Sequence, residues 1–163
     1  HHGVDVRIAR IFNTFGPRMQ VNDGRAIPNF FTQAIRRDEL TVYGDGAQTR
    51  SWTYIDDAIE ALERFFWRDH SEFAGPVNVG TDREVSVLDV AKYVQRHFTA
   101  SPVEFLPSPP QDPTNRRPDL TLARVVIPGW LAGMAYEDGV DRTIAWFRQR
   151  MGDMRGGQRP LHA

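Results

Sequence analysis

The run "VDVRIARIF", Val4 to Phe12, constrains this chain more than any other stretch. Val4, Val6 and Ile8 share one parity and Asp5, Arg7 and Ala9 the other, the two-residue period of a strand. It reads as a strand buried on both faces, and such strands belong inside parallel sheets with helices on each side. Nothing upstream supplies those neighbours, so the expectation is a strand with an unpaired edge.

The remaining chain alternates short strands with helices. "GPRMQVNDGR" is loop by its Gly, Pro, Asn and Asp content. Pro28 suits the first turn of a helix whose apolar face is Phe30, Phe31, Ala34 and Ile35. "LTVYG" reads as a strand closed by the turn "GDG". Thr49 to Tyr54 is extended, and a helix follows from about Ile55 to Arg68, with Asp56 and Asp57 favoured in its first turn by the helix dipole. "GPVNVG" is a short strand. Ser86 with Asp89 resembles a capping box and opens a helix to about Phe98. "VEFL" is another strand, "PSPPQDPTNRRPD" a proline-rich extended loop, and a short helix follows Asp119. The last helix spans about Glu137 to Met151, with a disordered tail expected over 152–163. There is no internal repeat. The pattern is mixed α/β.

Composition narrows the function classes. The 163 residues are 40% hydrophobic with a net charge of -1, which fits a globular chain and disfavours a general nucleic-acid footprint. There is no cysteine, hence no disulfide and no thiolate metal site. Apolar runs are short and interrupted by charge, so no membrane span is expected, and a reducing, cytoplasmic setting is the default. His70, His97 and His162 lack ligand spacing, so no metal site is expected.

The residues suited to chemistry are mainly arginines. Arg18, Arg25, Arg50, Arg116 and Arg117 lie in loops or at element ends, where guanidinium groups can grip phosphate in a bidentate manner. Surface ion pairing is the bland alternative for each. Asp23, Asp45, Asp56, Asp57, Asp112 and Asp119 read as acid–base carboxylates or, more simply, as turn formers and caps. Tyr43 and Trp52 could stack on a base or pack in the core. No G-x-G-x-x-G is present. Lys92 is the only lysine, and Leu88 stands where a Tyr-x-x-x-Lys pair needs tyrosine.

"RIFNTFGPRM" followed by "NDGR", "LTVYGDGAQTRSWTYIDD", "PVNVG", "DPTNRRPDL" and "GWLAGMAYEDGVDRTIAWF" resemble the C-terminal half of UDP-glucuronic acid decarboxylases (UDP-xylose synthases), within the NAD-dependent epimerase/dehydratases of the extended short-chain dehydrogenase/reductase group. The resemblance covers about Val4 to Met151. It implies an α/β fold: a C-terminal substrate-binding domain with one leftover Rossmann strand, the Rossmann core being absent. The expected division is a residual strand over 1–12, a nucleotide-sugar domain over 13–151 and the tail. In that family NAD oxidises C4 of the glucuronate, the keto acid loses carbon dioxide, and the NADH returns its hydride. The glycine-rich loop, the catalytic Thr/Ser and the Tyr-Lys pair lie upstream in relatives. No residue here is therefore assigned a catalytic role, and the chain is expected to be inactive and not to bind NAD by itself. "VVIPGW", with Pro128, and "LAGMAY" depart locally from the family pattern.

Residue by residue, the resemblance sets Asn13 toward the substrate diphosphate and Thr14 near the nicotinamide. Arg25 reaches the nucleotide or diphosphate, with Asn29 beside it. Thr41, Val42 and Tyr43 present backbone groups to uracil. Arg50 clamps the diphosphate, and Arg117 approaches the same group or the ribose. The partners implied are a UDP-sugar and either a second chain carrying the Rossmann half or a further copy of this one. The alternatives are a non-enzymatic UDP-sugar-binding or interaction module, or another nucleotide-sugar enzyme such as a dTDP-glucose 4,6-dehydratase.

Overall fold

The computed structural model describes residues 4, 6–21, 23–67, 75–98, 101–108, 110 and 114–155. In chain order the elements are β1 (Ala9–Ile11), β2 (Thr14–Phe15), α1 (Ala26–Arg36), β3 (Leu40–Tyr43), β4 (Thr49–Ser51), β5 (Thr53–Tyr54), α2 (Ile55–Trp67) and β6 (Val77–Val79). β7 (Glu84–Ser86), α3 (Val87–His97), β8 (Val103–Leu106), β9 (Asn115–Arg116), α4 (Thr121–Val126) and α5 (Tyr136–Arg155) complete the fold. The strands form short ladders. β1–β6, β2–β5 and β3–β8 are parallel pairs, and β4 lies between antiparallel β7 and parallel β9.

Three helices enclose the first core. α1 buries Ile27, Phe30, Phe31 and Ala34. α3 buries Val87, Val90, Ala91 and Val94, the same spacing of one apolar helical stripe. α5 turns Val140, Ile144, Phe147 and Met151 onto both, and the Phe31 and Phe147 rings meet edge to face at 5.3 Å. Fully burying a side chain of this size is worth about 1.5–3 kcal/mol. Gly139 lets α5 approach closely, since a Cβ there would stand 2.9 Å from Phe15 Cζ and Tyr54 Cδ2. α3 starts as its sequence specifies: Ser86 Oγ accepts the Asp89 amide at 3.0 Å, satisfying one orphan N–H.

A second core joins α2, β6 and α4. Ala58, Ala61, Phe65, Val77, Val79, Ala123, Val126, Ile127 and Trp130 pack together, with Ala9 of β1 beside them. Asp57 ties the chain after α4 to this core. Its carbonyl accepts the Trp130 indole N–H at 2.9 Å and its carboxylate accepts the Met134 amide at 3.0 Å. Asp45 accepts the amide of Ala47 and Asp119 that of Thr121, so these carboxylates hold local turns.

Two expectations change. The strand Val4–Phe12 is paired only over Ala9–Ile11, and it is not buried on both faces: Val4, Val6 and Ile8 are 73%, 63% and 50% exposed. The reason is that β6 is its single strand neighbour among the described residues. The helix α5 continues to Arg155, four residues past the expected Met151 end. The rest of the expected tail, 156–163, lies outside the described residues. No helix among those described is long and apolar enough to cross a membrane.

Candidate functional site

Between the N-terminus of α1 and the sheet β7–β4–β9 lies a cleft of about 470 Å³. Three features make it electropositive. First, α1 begins at Arg25 with no side-chain cap and no acidic residue in its first turn. Its leading amides are thus orphaned at the positive end of the helix dipole, a ready site for an anion. Gly24, Arg25, Ala26 and Asn29 of this helix end line the cleft.

Second, Arg50 on β4 and Arg116 on β9 are direct partners in a parallel ladder. Paired residues project to the same face of the sheet, and both line the cleft. Arg50 is buried to 8% exposure, and its Nη1 donates to the carbonyls of Thr49 at 2.8 Å and Thr114 at 3.3 Å. It is held in place by the backbone it rises from, while Arg116 is exposed. Third, Arg25 completes the group, although its guanidinium also donates to the Asp23 carboxylate.

The wall away from the arginines is β3. Leu40 and Gly44 amides bond to Pro102 and Leu106 of the β8 side. Backbone groups alternate along a strand, so Val42 shares that side and Thr41 and Tyr43 face the opposite edge. Gln33 Oε1 accepts the Thr41 amide at 3.2 Å, and Gln48 donates to the Tyr43 carbonyl at 3.0 Å. The Thr41 carbonyl and the Tyr43 amide remain on that edge, one acceptor and one donor. Gly46 shapes the turn below. It sits at φ +74°, and a Cβ would come within 2.8 Å of both Leu88 Cβ and Val42 Cγ1.

The structure therefore gathers Asn13, Arg25, Asn29, Thr41, Tyr43 and Arg50 around one cleft. It places three expected residues elsewhere. Val42 is fully buried in the first core, with its backbone committed to the β8 ladder. Thr14 lies on β2, paired with Thr53, and its hydroxyl donates to the Phe12 carbonyl at 2.9 Å. Arg117 is exposed and does not line the cleft, because neighbouring positions on an extended chain point opposite ways and Arg116 takes the inward one. Trp52, offered above as a stacking or core residue, is also in the wall, and sequence reading missed Gln48. The two-residue period counted outward from Arg50 was the available signal.

The titratable groups that are perturbed lie outside the cleft. Tyr93 is pushed up to about 12, first by burial and then by its hydrogen bond to Asp141. Tyr136 is raised further, again mainly by burial. Among the described residues no cluster of three or more His, Cys, Asp or Glu could hold a metal ion.

Comparison with known proteins agrees with this architecture. The NAD dependent epimerase/dehydratase family profile matches residues 1–80. UDP-glucuronic acid decarboxylase 2 of Arabidopsis thaliana is 44% identical over 161 residues, covering 96% of this chain and 35% of that protein. UDP-glucuronic acid decarboxylase 1 of Danio rerio is 40% identical over 91% of this chain and 35% of its own length. The chain thus spans about a third of the length of the curated relatives it matches. Among solved structures, the UDP-glucuronic acid 4-epimerase of Bacillus cereus, in complex with UDP-glucuronic acid and NAD, superposes with a TM-score of 0.80 at 26% identity, over 88% of this chain and 45% of that one. An NAD-dependent NDP-hexosamine 5,6-dehydratase gives 0.76 at 30% identity, over 88% and 46%. Residues 1–80 thus match the NAD dependent epimerase/dehydratase family, and the chain is similar in sequence and fold to parts of the proteins named above.

Proposed function

We propose that this chain is the nucleotide-sugar-binding part of a UDP-glucuronate decarboxylase-like enzyme, the activity that converts UDP-glucuronate to UDP-xylose. The observation that carries the reading is the Arg50–Arg116 pair facing the uncapped end of α1. A diphosphate in the cleft is within the lining formed by Arg25, Arg50 and Arg116 and meets the amides at the uncapped end of α1. Charge-assisted hydrogen bonds of this kind contribute about 1.5–3 kcal/mol each. Arg25 and Asn29 act from the helix side, and Arg116 takes the role first expected of Arg117. At the β3 end, the Thr41 carbonyl and Tyr43 amide match the donor–acceptor edge of a pyrimidine. Asn13, at the other end, meets the sugar side of the diphosphate.

NAD does not fit the described residues by themselves. A dinucleotide pyrophosphate needs a strand-to-helix turn with free amides and no negative charge. The β5–α2 junction carries Asp56 and Asp57 in the first helical turn, and the β7–α3 junction is closed by Ser86 and Asp89. Only α1 is uncapped among the helices just compared, and its end opens on the cleft already described. Accordingly, residues 13–151 orient the substrate, and the redox chemistry belongs to a companion Rossmann body.

Titration of the isolated chain with UDP, UDP-glucuronate and dTDP-glucose, followed by amide NMR, tests this reading. Shifts at Arg25, Thr41, Tyr43, Arg50 and Arg116 with UDP compounds are expected, and an unchanged spectrum would sink it. A non-enzymatic UDP-sugar-binding module uses the same cleft. Restored turnover on adding a Rossmann body separates the enzyme part from that module.

A further inference from the structure

Gln33 stands behind Thr41 at the β3 end of the cleft. Along α1, Ala26, Asn29 and Phe30 line the cleft, and Gln33 follows one turn further on the same helical face. Its side-chain amide grips Thr41 twice. Gln33 Oε1 accepts the Thr41 amide at 3.2 Å, and Gln33 Nε2 donates to Thr41 Oγ1 at 2.8 Å. Chemistry fixes the orientation of this glutamine. A backbone N–H can only donate, so the oxygen must face it and the NH₂ group must face the hydroxyl. Thr41 Oγ1 is therefore the acceptor in its bond to Gln33, and its own proton points elsewhere. No group takes that proton among the described residues. The Thr41 side chain lines the cleft, so its hydroxyl is a donor available to whatever the cleft holds.

We propose that Thr41 and Gln33 together set the base specificity of the site, selecting a diketo pyrimidine (uracil or thymine) over cytosine. This rests on the function proposed above. The free edge of β3 offers one acceptor, the Thr41 carbonyl, and one donor, the Tyr43 amide, because Gln33 and Gln48 occupy the other two groups. Those two points do not tell the pyrimidines apart. Uracil meets them with N3–H and a keto oxygen, and cytosine meets them equally with its amino group and N3. The Thr41 hydroxyl adds a second donor and makes the set donor, acceptor, donor. Uracil is the complement, with a keto oxygen on each side of N3–H. Cytosine carries an amine at C4 and no proton on N3, so it has no such run. Binding it leaves the Thr41 proton without an acceptor in a place the ligand has dried, and an unmade hydrogen bond discriminates more strongly than a made one. Thr41 reads the base. Gln33 is a positioning residue, since its NH₂ group keeps the hydroxyl proton from turning back toward α1.

The test is calorimetric titration of the chain and three variants with UDP and with CDP, which share the same ribose diphosphate. The parent chain is expected to prefer UDP by roughly ten-fold. Thr41→Val keeps the side-chain shape and removes the donor, so the preference should fall below about three-fold. Thr41→Ser restores a hydroxyl and should recover most of it. Gln33→Glu is the sharper change. Its carboxylate still accepts the Thr41 amide but also accepts the hydroxyl proton, drawing it out of the cleft. A merely structural Gln33 would leave the UDP-to-CDP ratio untouched by this near-isosteric change, whereas here the ratio should flatten as far as it does in Thr41→Val. Dispersed amide spectra confirm that the variants stay folded. The proposal is overturned if the parent chain binds UDP and CDP alike, or if either Thr41→Val or Gln33→Glu keeps the parent ratio. UDP binding with an unchanged ratio removes this inference and leaves the cleft assignment standing. Failure of the parent chain to bind either nucleotide removes the cleft assignment, and this inference with it.

Discussion

The two cores of this molecule use similar residues to opposite ends. Around α1, α3 and α5 the large apolar side chains all turn inward: Phe15, Phe30, Phe31 and Phe147 are at most 1% exposed. Around β1, β6 and α2 the inner layer is as dry, with Val77, Val79 and Ala61 at 0%, yet the outer layer leaves Val6, Phe66 and Trp67 more than half in water. The first core is finished by its own helices. The second is finished on one face only. The difference separates the part that lines a pocket from the part whose outer apolar side chains are exposed among the described residues.

Truncation should expose that contrast most strongly. Phe147→Ala opens a cavity between α1 and α5 and should cost about 3–5 kcal/mol in denaturant unfolding. Trp67→Ala, equally drastic on paper, should stay within about 0.5 kcal/mol in the isolated chain, because its ring already lies in water. Equal losses at the two positions would erase the distinction between the cores.

The cleft is the next place to press. Arg116→Ala should lower UDP affinity by roughly ten-fold or more, the loss of one charge-assisted contact, whereas Arg117→Ala should change it by about two-fold at most. Calorimetric titration of the two variants reads the difference directly. If Arg117 proved the more sensitive, the inward assignment of Arg116 would be wrong.

Smaller effects probe how the first core is closed. Ser86→Ala removes the cap of α3 and should cost about 1 kcal/mol. Tyr136→Phe should do the reverse. The Tyr136 hydroxyl is buried with no hydrogen-bond partner among the described residues, and removing such a group should stabilise the fold by about 1 kcal/mol. The same substitution alters the alkaline limb of stability. Burial, aided by Glu137, Tyr93 and Asp89, raises Tyr136 above its ordinary value of 10.0. The unfolded chain then releases this proton first, so the contribution is intact below about pH 10 and is lost as pH rises further. Melting followed from about pH 9 to about pH 11.5 should show a shallower decline in Tyr136→Phe. Some slope should persist, since Tyr93 is shifted in the same direction.

Much of this was legible in the residues. The helical stripes of α1, α3 and α5, the Ser86 cap and the short strands follow from periods of 3.6 and 2 and from local hydrogen bonding, which act over a few residues. The choice of Asn13, Arg25, Thr41, Tyr43 and Arg50 came from a resemblance, and their gathering around one cleft came from the fold. Arg116 and Arg117 are indistinguishable in composition and loop context. The ladder with β4 sets Arg116 opposite Arg50, and the alternation of the backbone then sends Arg117 the other way. Val42 lies between two cleft residues in sequence, yet its partner strand β8 is sixty-odd residues distant, and only that pairing assigns its backbone.

The fate of Val4, Val6 and Ile8 makes the same point at larger scale. Their alternation determined that the segment is extended and apolar. It could not determine whether those side chains meet a protein or water, because burial depends on what lies across the sheet and not on the strand itself. Local pattern decided the elements of this protein. Long-range pairing decided which of their faces became a core, which a binding cleft and which an open edge.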